Sequence, residues 1–189
     1  MSELKIIGLC GSLRAASTNR TLLRFAAGRA GPARLNEGNL RLPLYDGDLE
    51  AAEGVPAAVV ALADQIRAAD AVLIASPEYN GGISGVMKNA LDWLSRVKEP
   101  ALRGKPVALL SAAAGRSGGG RAQYNLRLAL VAFRPALIPG PEVMVGASHD
   151  AFDADGRPTD PTTIALVDDL MGQLRTEALR HRDATRAAA

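Results

Sequence analysis

The chain has 189 residues, 48% hydrophobic, 22% charged and 4% aromatic, with a formal charge of +2. That profile fits one globular unit and excludes disorder, collagen-like repeats and coiled coil. The balanced charge gives no footprint for nucleic acid or an acidic membrane surface, and no apolar run approaches the roughly 18–20 residues of a membrane span. The single cysteine, Cys10, excludes an internal disulfide framework or a multi-cysteine metal site, and His149 and His181 lie too far apart to suggest zinc. The start, Met1 to Lys5, enters an apolar run directly and lacks a signal-peptide cleavage pattern, so a cytoplasmic protein is expected.

Leu4 to Cys10 reads as a first strand ending at Gly11, and Thr18 to Arg29 as a helix with Leu22, Leu23 and Ala26 on one face. A strand near Ala33 to Leu35 leads into a long turn-rich stretch, Leu42 to Glu50. Pro56 suits the first position of a helix whose Val59, Leu62, Ala63 and Ile66 form one buried stripe. Ala71 to Ser76 is the continuous apolar run of a central strand covered on both faces. A Pro/Glu/Tyr/Asn/Gly loop follows, then a helix from about Ser84 to Val97. Pro106 to Ser111 is the next strand, followed by a glycine-rich loop and a helix from about Arg121 to Phe133. A last strand lies within Ala136 to Val145, and Asp160-Pro161 announces a final helix through about Arg180. Five strands alternating with helices predict an α/β fold, a doubly wound five-stranded parallel sheet with helices on both faces. Ligands of such sheets bind beyond the carboxyl ends of the strands, which selects three loops.

The first loop, Gly11 to Arg20, joins a strand to a helix N-terminus, where free amides and the helix dipole favour an anion. Ser12, Ser17, Thr18 and Asn19 add short hydrogen-bonding groups, and Arg14 or Arg20 positive charge. A plain capped helix start stays open as the alternative; neither G-x-x-x-x-G-K-[ST] nor G-x-G-x-x-G is present. Cys10 sits where a phosphatase nucleophile could stand, but the position of the phosphate-clamping Arg in that design is Ala16, so Cys10 reads as a small buried strand residue.

The second loop, Ser76 to Gly85, combines a stiffening proline, glycines that admit a flat ligand, the aromatic face of Tyr79 and the amide of Asn80. Glu78 has no nearby His or second carboxylate and reads as a positioning group, not an acid/base catalyst. The helix after it is apolar on more than one side, which predicts a second burial partner in another subunit, with a helix wholly buried in the monomer as the alternative. The third loop, Ser111 to Gly120, can lie along a ring edge.

Across Gly11-Ser12-Leu13-Arg14-x-x-Ser17-x-Asn19, Ser76-Pro77-Glu78-Tyr79-Asn80-Gly81, Gly85-x-x-Lys88-Asn89-Ala90-x-Asp92-Trp93-x-Ser95-Arg96 and Gly119-Gly120-Arg121-Ala122-Gln123-Tyr124, the sequence resembles the NADPH-dependent FMN reductase family. That flavodoxin-like group includes quinone, azo-dye and chromate-reducing flavoenzymes, and the resemblance spans about residues 4–145. It implies one flavodoxin-like FMN-binding domain, taken over residues 1–181; residues 182–189, which lack apolar periodicity, are expected to form a disordered tail. The resemblance implies tightly bound, non-covalent FMN, its phosphate held by Ser12, Arg14, Ser17, Thr18 and Asn19. Pro77, Glu78, Tyr79 and Asn80 would border the isoalloxazine, with Ser111 on the opposite loop. Ala15-Ala16 and Arg116 depart from many relatives.

The resulting expectation is an NAD(P)H oxidoreductase, with NADPH or NADH as co-substrate, passing hydride through flavin N5 to quinones, free flavin, azo compounds or chromate. The alternative is a non-enzymatic flavodoxin-like electron carrier, for which the charge of +2 is unusual. No catalytic side chain and no metal ligand are expected. A homodimer or homotetramer is expected, with Arg96, Tyr124 and Glu142 as candidate contacts.

Overall fold

The computed structural model describes residues 3–187. In chain order it forms β1 Leu4–Cys10, α1 Thr18–Gly28, β2 Ala33–Glu37, α2 Gly47–Glu53, α3 Ala57–Ala68 and β3 Ala71–Ala75. Then follow β4 Glu78–Tyr79, β5 Gly82–Ile83, α4 Gly85–Leu94, β6 Pro106–Ala112, α5 Gly120–Leu130, β7 Ala136–Leu137, β8 Val143–Val145 and α6 Pro161–Ala187.

The main sheet is parallel, in the order β2-β1-β3-β6, with β7 and β8 both pairing β6 on its far side. The predicted fifth strand is therefore one position filled by two pieces, interrupted where Gly140-Pro141 adopts a cis peptide. Period-two alternation sends Leu4, Ile6 and Cys10 of β1 to the face covered by α1 and α6, and Ile7 and Leu9 to the opposite core. β3 and β6 divide in the same way: Leu73 and Leu110 join the first core, Ile74 and Leu109 the second. Both faces of the central strands are sealed, which leaves their ends as the places to build a site.

Several expectations change. The turn-rich stretch holds α2, capped by Asp46, whose side chain accepts from the Asp48 amide at 2.9 Å. Pro56 is the N-cap of α3, with extended ψ, and not its first helical residue. The final helix does not fray after Arg180 but runs to Ala187, so most of the expected tail is helical; residues 188–189 lie outside the described part. At its start, Asp160 accepts from the amides of Thr162 and Thr163, each at 3.0 Å, as its capping position requires.

The second apolar side of α4 is covered within the chain. Trp93 is fully buried, its indole N–H donates to the Pro43 carbonyl at 2.8 Å, and the Tyr45 ring meets it edge-on at 5.0 Å. Asn89 pins the same segment, accepting from the Tyr45 amide at 2.8 Å and donating to Pro43 at 2.9 Å. This helix therefore gives no argument for a second subunit. Arg96, one candidate interface residue, pairs with Glu50 of its own chain at 2.9 Å, and Tyr124 bonds Glu142 at 3.3 Å.

At the amino end of β6, Lys105 is buried and its ammonium donates to the carbonyls of Arg67 at 3.0 Å and Ala69 at 2.7 Å, closing the C-terminus of α3. Burial holds its pKa below the ordinary lysine value.

Candidate functional site

Ser17 caps α1, its hydroxyl accepting from the Arg20 amide at 3.3 Å, and no acidic residue occupies the first turn. The positive end of this helix is therefore left unneutralised. Asn19 fixes it in place: its side-chain nitrogen donates to the Ala112 carbonyl at 2.7 Å, and its oxygen accepts from the Ala112 amide at 3.0 Å. Asn19 thereby joins α1 to the end of β6, and its second side-chain N–H and its backbone amide are left for a ligand in the cleft whose wall it lines.

The loop before the helix is braced from outside. Arg20 donates to the carbonyls of Arg14 at 3.0 Å and Ser12 at 3.4 Å, and Arg41 donates to Leu13 at 3.2 Å. Glu37 holds Arg20 in turn, at 3.1 Å. Across a trans peptide the following N–H points opposite to the carbonyl, so the amides of Leu13, Arg14 and Ala15 face away from the arginines.

The second loop folds into the β4–β5 hairpin, whose central Asn80 and Gly81 both have positive φ, 52° and 76°, as a type I′ turn requires. Glu78 reaches across to α5, accepting from the amides of Arg121 at 3.0 Å and Ala122 at 3.4 Å. It caps a helix whose own N-cap, Gly119, has no side chain to offer. Tyr79 stands half exposed on the hairpin.

The third loop is held from below. The Ser111 hydroxyl, fully buried, donates to the Gly118 carbonyl at 2.6 Å and accepts from Gln123 at 2.9 Å. Gln123 also donates to Val143 at 2.7 Å, which ties the loop to β8. Gly119 cannot be replaced: φ is +93°, and a Cβ there would stand 2.8 Å from the Ser111 Cβ.

Ser12, Arg14, Ser17, Thr18, Asn19, Pro77, Glu78 and Tyr79 line one cleft of about 300 Å³, together with Ala112, Ala113, Ala114 and Ser148. The structure thus brings together most of the residues expected at a cofactor. Asn80 and Ser111 are not in its wall: Asn80 turns the hairpin, and the Ser111 hydroxyl is engaged beneath the third loop. Ala112–Ala114 belong to the third loop that the sequence selected, though only Ser111 was singled out there; sequence reasoning missed Ser148, which follows β8. Only the rule that ligands gather at strand carboxyl ends could have found the latter.

A larger hollow of about 650 Å³ between β7 and α6 lies away from these loops and is walled by scattered surface side chains. Cys10 is buried, donates to the Ser12 carbonyl at 3.5 Å and does not line the cleft, so no thiol nucleophile is presented there. The described residues contain no cluster of potential metal ligands and no helix long and apolar enough to cross a membrane.

Fold and cleft together define a flavodoxin-like α/β protein with a cleft at the carboxyl ends of its strands. The profile of the family described as NADPH-dependent FMN reductase matches residues 4–150, and the chain belongs to that family. It is 43% identical over 182 residues to an NAD(P)H-dependent FMN reductase of Pseudomonas aeruginosa, covering 95% of this chain and 98% of that relative. It is 43% identical over 184 residues to a quinone reductase of Escherichia coli, covering 92% and 94%. Among solved structures it is similar to a flavoenzyme NAD(P)H:(acceptor) oxidoreductase from Paracoccus denitrificans, with a TM-score of 0.83 and 31% identity over 94% of this chain and 98% of that one.

Proposed function

We propose that the chain is an FMN-dependent NAD(P)H oxidoreductase that reduces quinones or similar small acceptors. The observation that carries this reading is the cleft itself, walled by the braced first loop and by the first turn of α1, whose dipole no acidic residue neutralises. Among the described residues, the hydroxyls of Ser12 and Thr18 in its wall have no protein partner. Those groups suit the phosphate of FMN, and the exposed guanidinium of Arg14 adds charge at the rim. Pro77 and Tyr79 offer flat and apolar surface for a ring, and the backbone of Ala112–Ala114 offers polar groups at its edge.

Bound there, the flavin supplies the hydride chemistry, accepting from NAD(P)H and donating to the acceptor. The chain's own share is to bind and orient. Glu78 is committed to the amides of α5, so no general base is required of it. Purified protein should be yellow and should be bleached by NADH or NADPH without oxygen, and a quinone should restore the colour. A colourless protein that takes up no FMN would refute the assignment. Reduction by NAD(P)H only at a sluggish rate would favour an electron carrier instead.

Self-association as a homodimer or homotetramer belongs to the same proposal, on different grounds from those the sequence offered. Tyr124, Leu128 and Val131 are 59%, 74% and 68% exposed and follow one another at helical spacing along α5 and the turn after it. Sedimentation should show more than a monomer at micromolar concentration.

A further inference from the structure

We infer that Ser148, on the loop after β8, is a further ligand of the FMN phosphate, completing the anion pocket from the far edge of the sheet; this rests on the FMN reading above. Ser148 is 8% exposed and lines the cleft, yet its hydroxyl makes no hydrogen bond among the described residues. With no partner in its own chain, that hydroxyl is a donor and acceptor open to a ligand in the cleft its residue lines.

Its backbone fixes where in the cleft it stands. The Ser148 amide donates to the Ala113 carbonyl at 3.1 Å, and Ala113 donates to Val145 at 3.0 Å. The residue before Ala113 is Ala112, gripped on both its polar groups by Asn19 from the first turn of α1. Ser148 is thereby linked, through Ala113 and Ala112, to the first turn of α1, where the positive end of the helix dipole lies. The turn that delivers it is unusual: Ala147 holds φ at +44°, a left-handed conformation that a residue with a Cβ seldom adopts. Such strain persists where the surrounding structure requires it, and it clusters at ligand sites.

The test compares FMN with riboflavin, which has the same ring and sugar chain but no phosphate, by quenching of flavin fluorescence on titration into apoprotein. Ser148→Ala should weaken FMN about tenfold, the range of a hydrogen bond to a charged group. It should leave riboflavin within about twofold of wild type. Ser148→Asp sets a carboxylate beside the phosphate and should weaken FMN by about a hundredfold or more, again with riboflavin little changed. Equal losses for both flavins would place the hydroxyl on the sugar or ring and overturn the phosphate assignment. So would unchanged FMN affinity in Ser148→Asp. Because the Ser148 hydroxyl has no partner in the chain, apoprotein melting of Ser148→Ala should match wild type; a lower melting temperature would mean the hydroxyl has a structural role and would also overturn the inference. Wild-type protein that binds neither flavin would instead refute the FMN reading on which the inference rests.

Discussion

The two ends of the central sheet treat buried polar groups in opposite ways. At the amino end of β6, Lys105 is 8% exposed, and its ammonium is engaged by two carbonyls of its own chain. At the carboxyl ends, Ser12 and Ser148 are 4% and 8% exposed, as deeply buried as the lysine, and their hydroxyls bond nothing among the described residues. Depth of burial therefore does not separate scaffold from site in this molecule. What separates these three residues is where their partners come from: the lysine is engaged by carbonyls of its own chain, and the two hydroxyls face a cleft.

The severest test of that contrast is Asn19, which lies in the cleft wall but bonds its own chain like a scaffold residue. Asn19→Ala leaves the amide and carbonyl of Ala112 without partners, and the apoprotein should lose about 3 kcal/mol in urea unfolding. An unchanged midpoint would show that the bond does not hold α1 to β6. Lys105→Met should cost about 1–2 kcal/mol in the same measurement while leaving FMN affinity untouched.

Lys105 also carries a pH signature. Burial lowers its pKa in the folded chain, so between that value and the ordinary 10.5 the unfolded chain binds the extra proton. Wild type should gain stability relative to Lys105→Met as pH rises through that window, and a parallel pair of pH profiles would contradict it. The smallest effect is expected for Ser12→Ala. The apoprotein should melt as wild type does, within about 0.5 kcal/mol, while FMN binding measured by calorimetry weakens by about 1 kcal/mol. A destabilised apoprotein would move Ser12 to the scaffold side of the comparison.

The sequence disclosed what depends on neighbours in the chain. Alternating and continuous apolar runs marked β1, β3 and β6, and Asp160-Pro161 marked the start of α6, because strand period and capping chemistry are local. The loop residues converged for the same reason, since strand carboxyl ends are where such sheets bind. What stayed hidden depends on distant partners. The sequence gives no sign that Asn19, in the cleft wall, also bridges α1 to Ala112, and Ser111 reads as a cleft residue until Gln123 and Gly118 claim its hydroxyl. The outer face of α4 looks unpartnered until Pro43 and Tyr45 are found folded back over Trp93. Helix α6 outlasts its apolar stripe, and a fading stripe alone does not mark where a helix ends.

Two helices begin beside the cleft, and Glu78 makes them unlike. Its carboxylate covers the first amides of α5 and cancels the positive end of that helix, whereas the first turn of α1 carries no acid. A long ligand with a dianion at one end and a flat neutral ring at the other therefore meets a polarised slot. Reversed, its charge would lie against a carboxylate, and its ring would sit on bare amides. On the FMN reading, one glutamate on a hairpin would thus favour one direction of entry, with the phosphate toward α1 and the ring toward the hairpin.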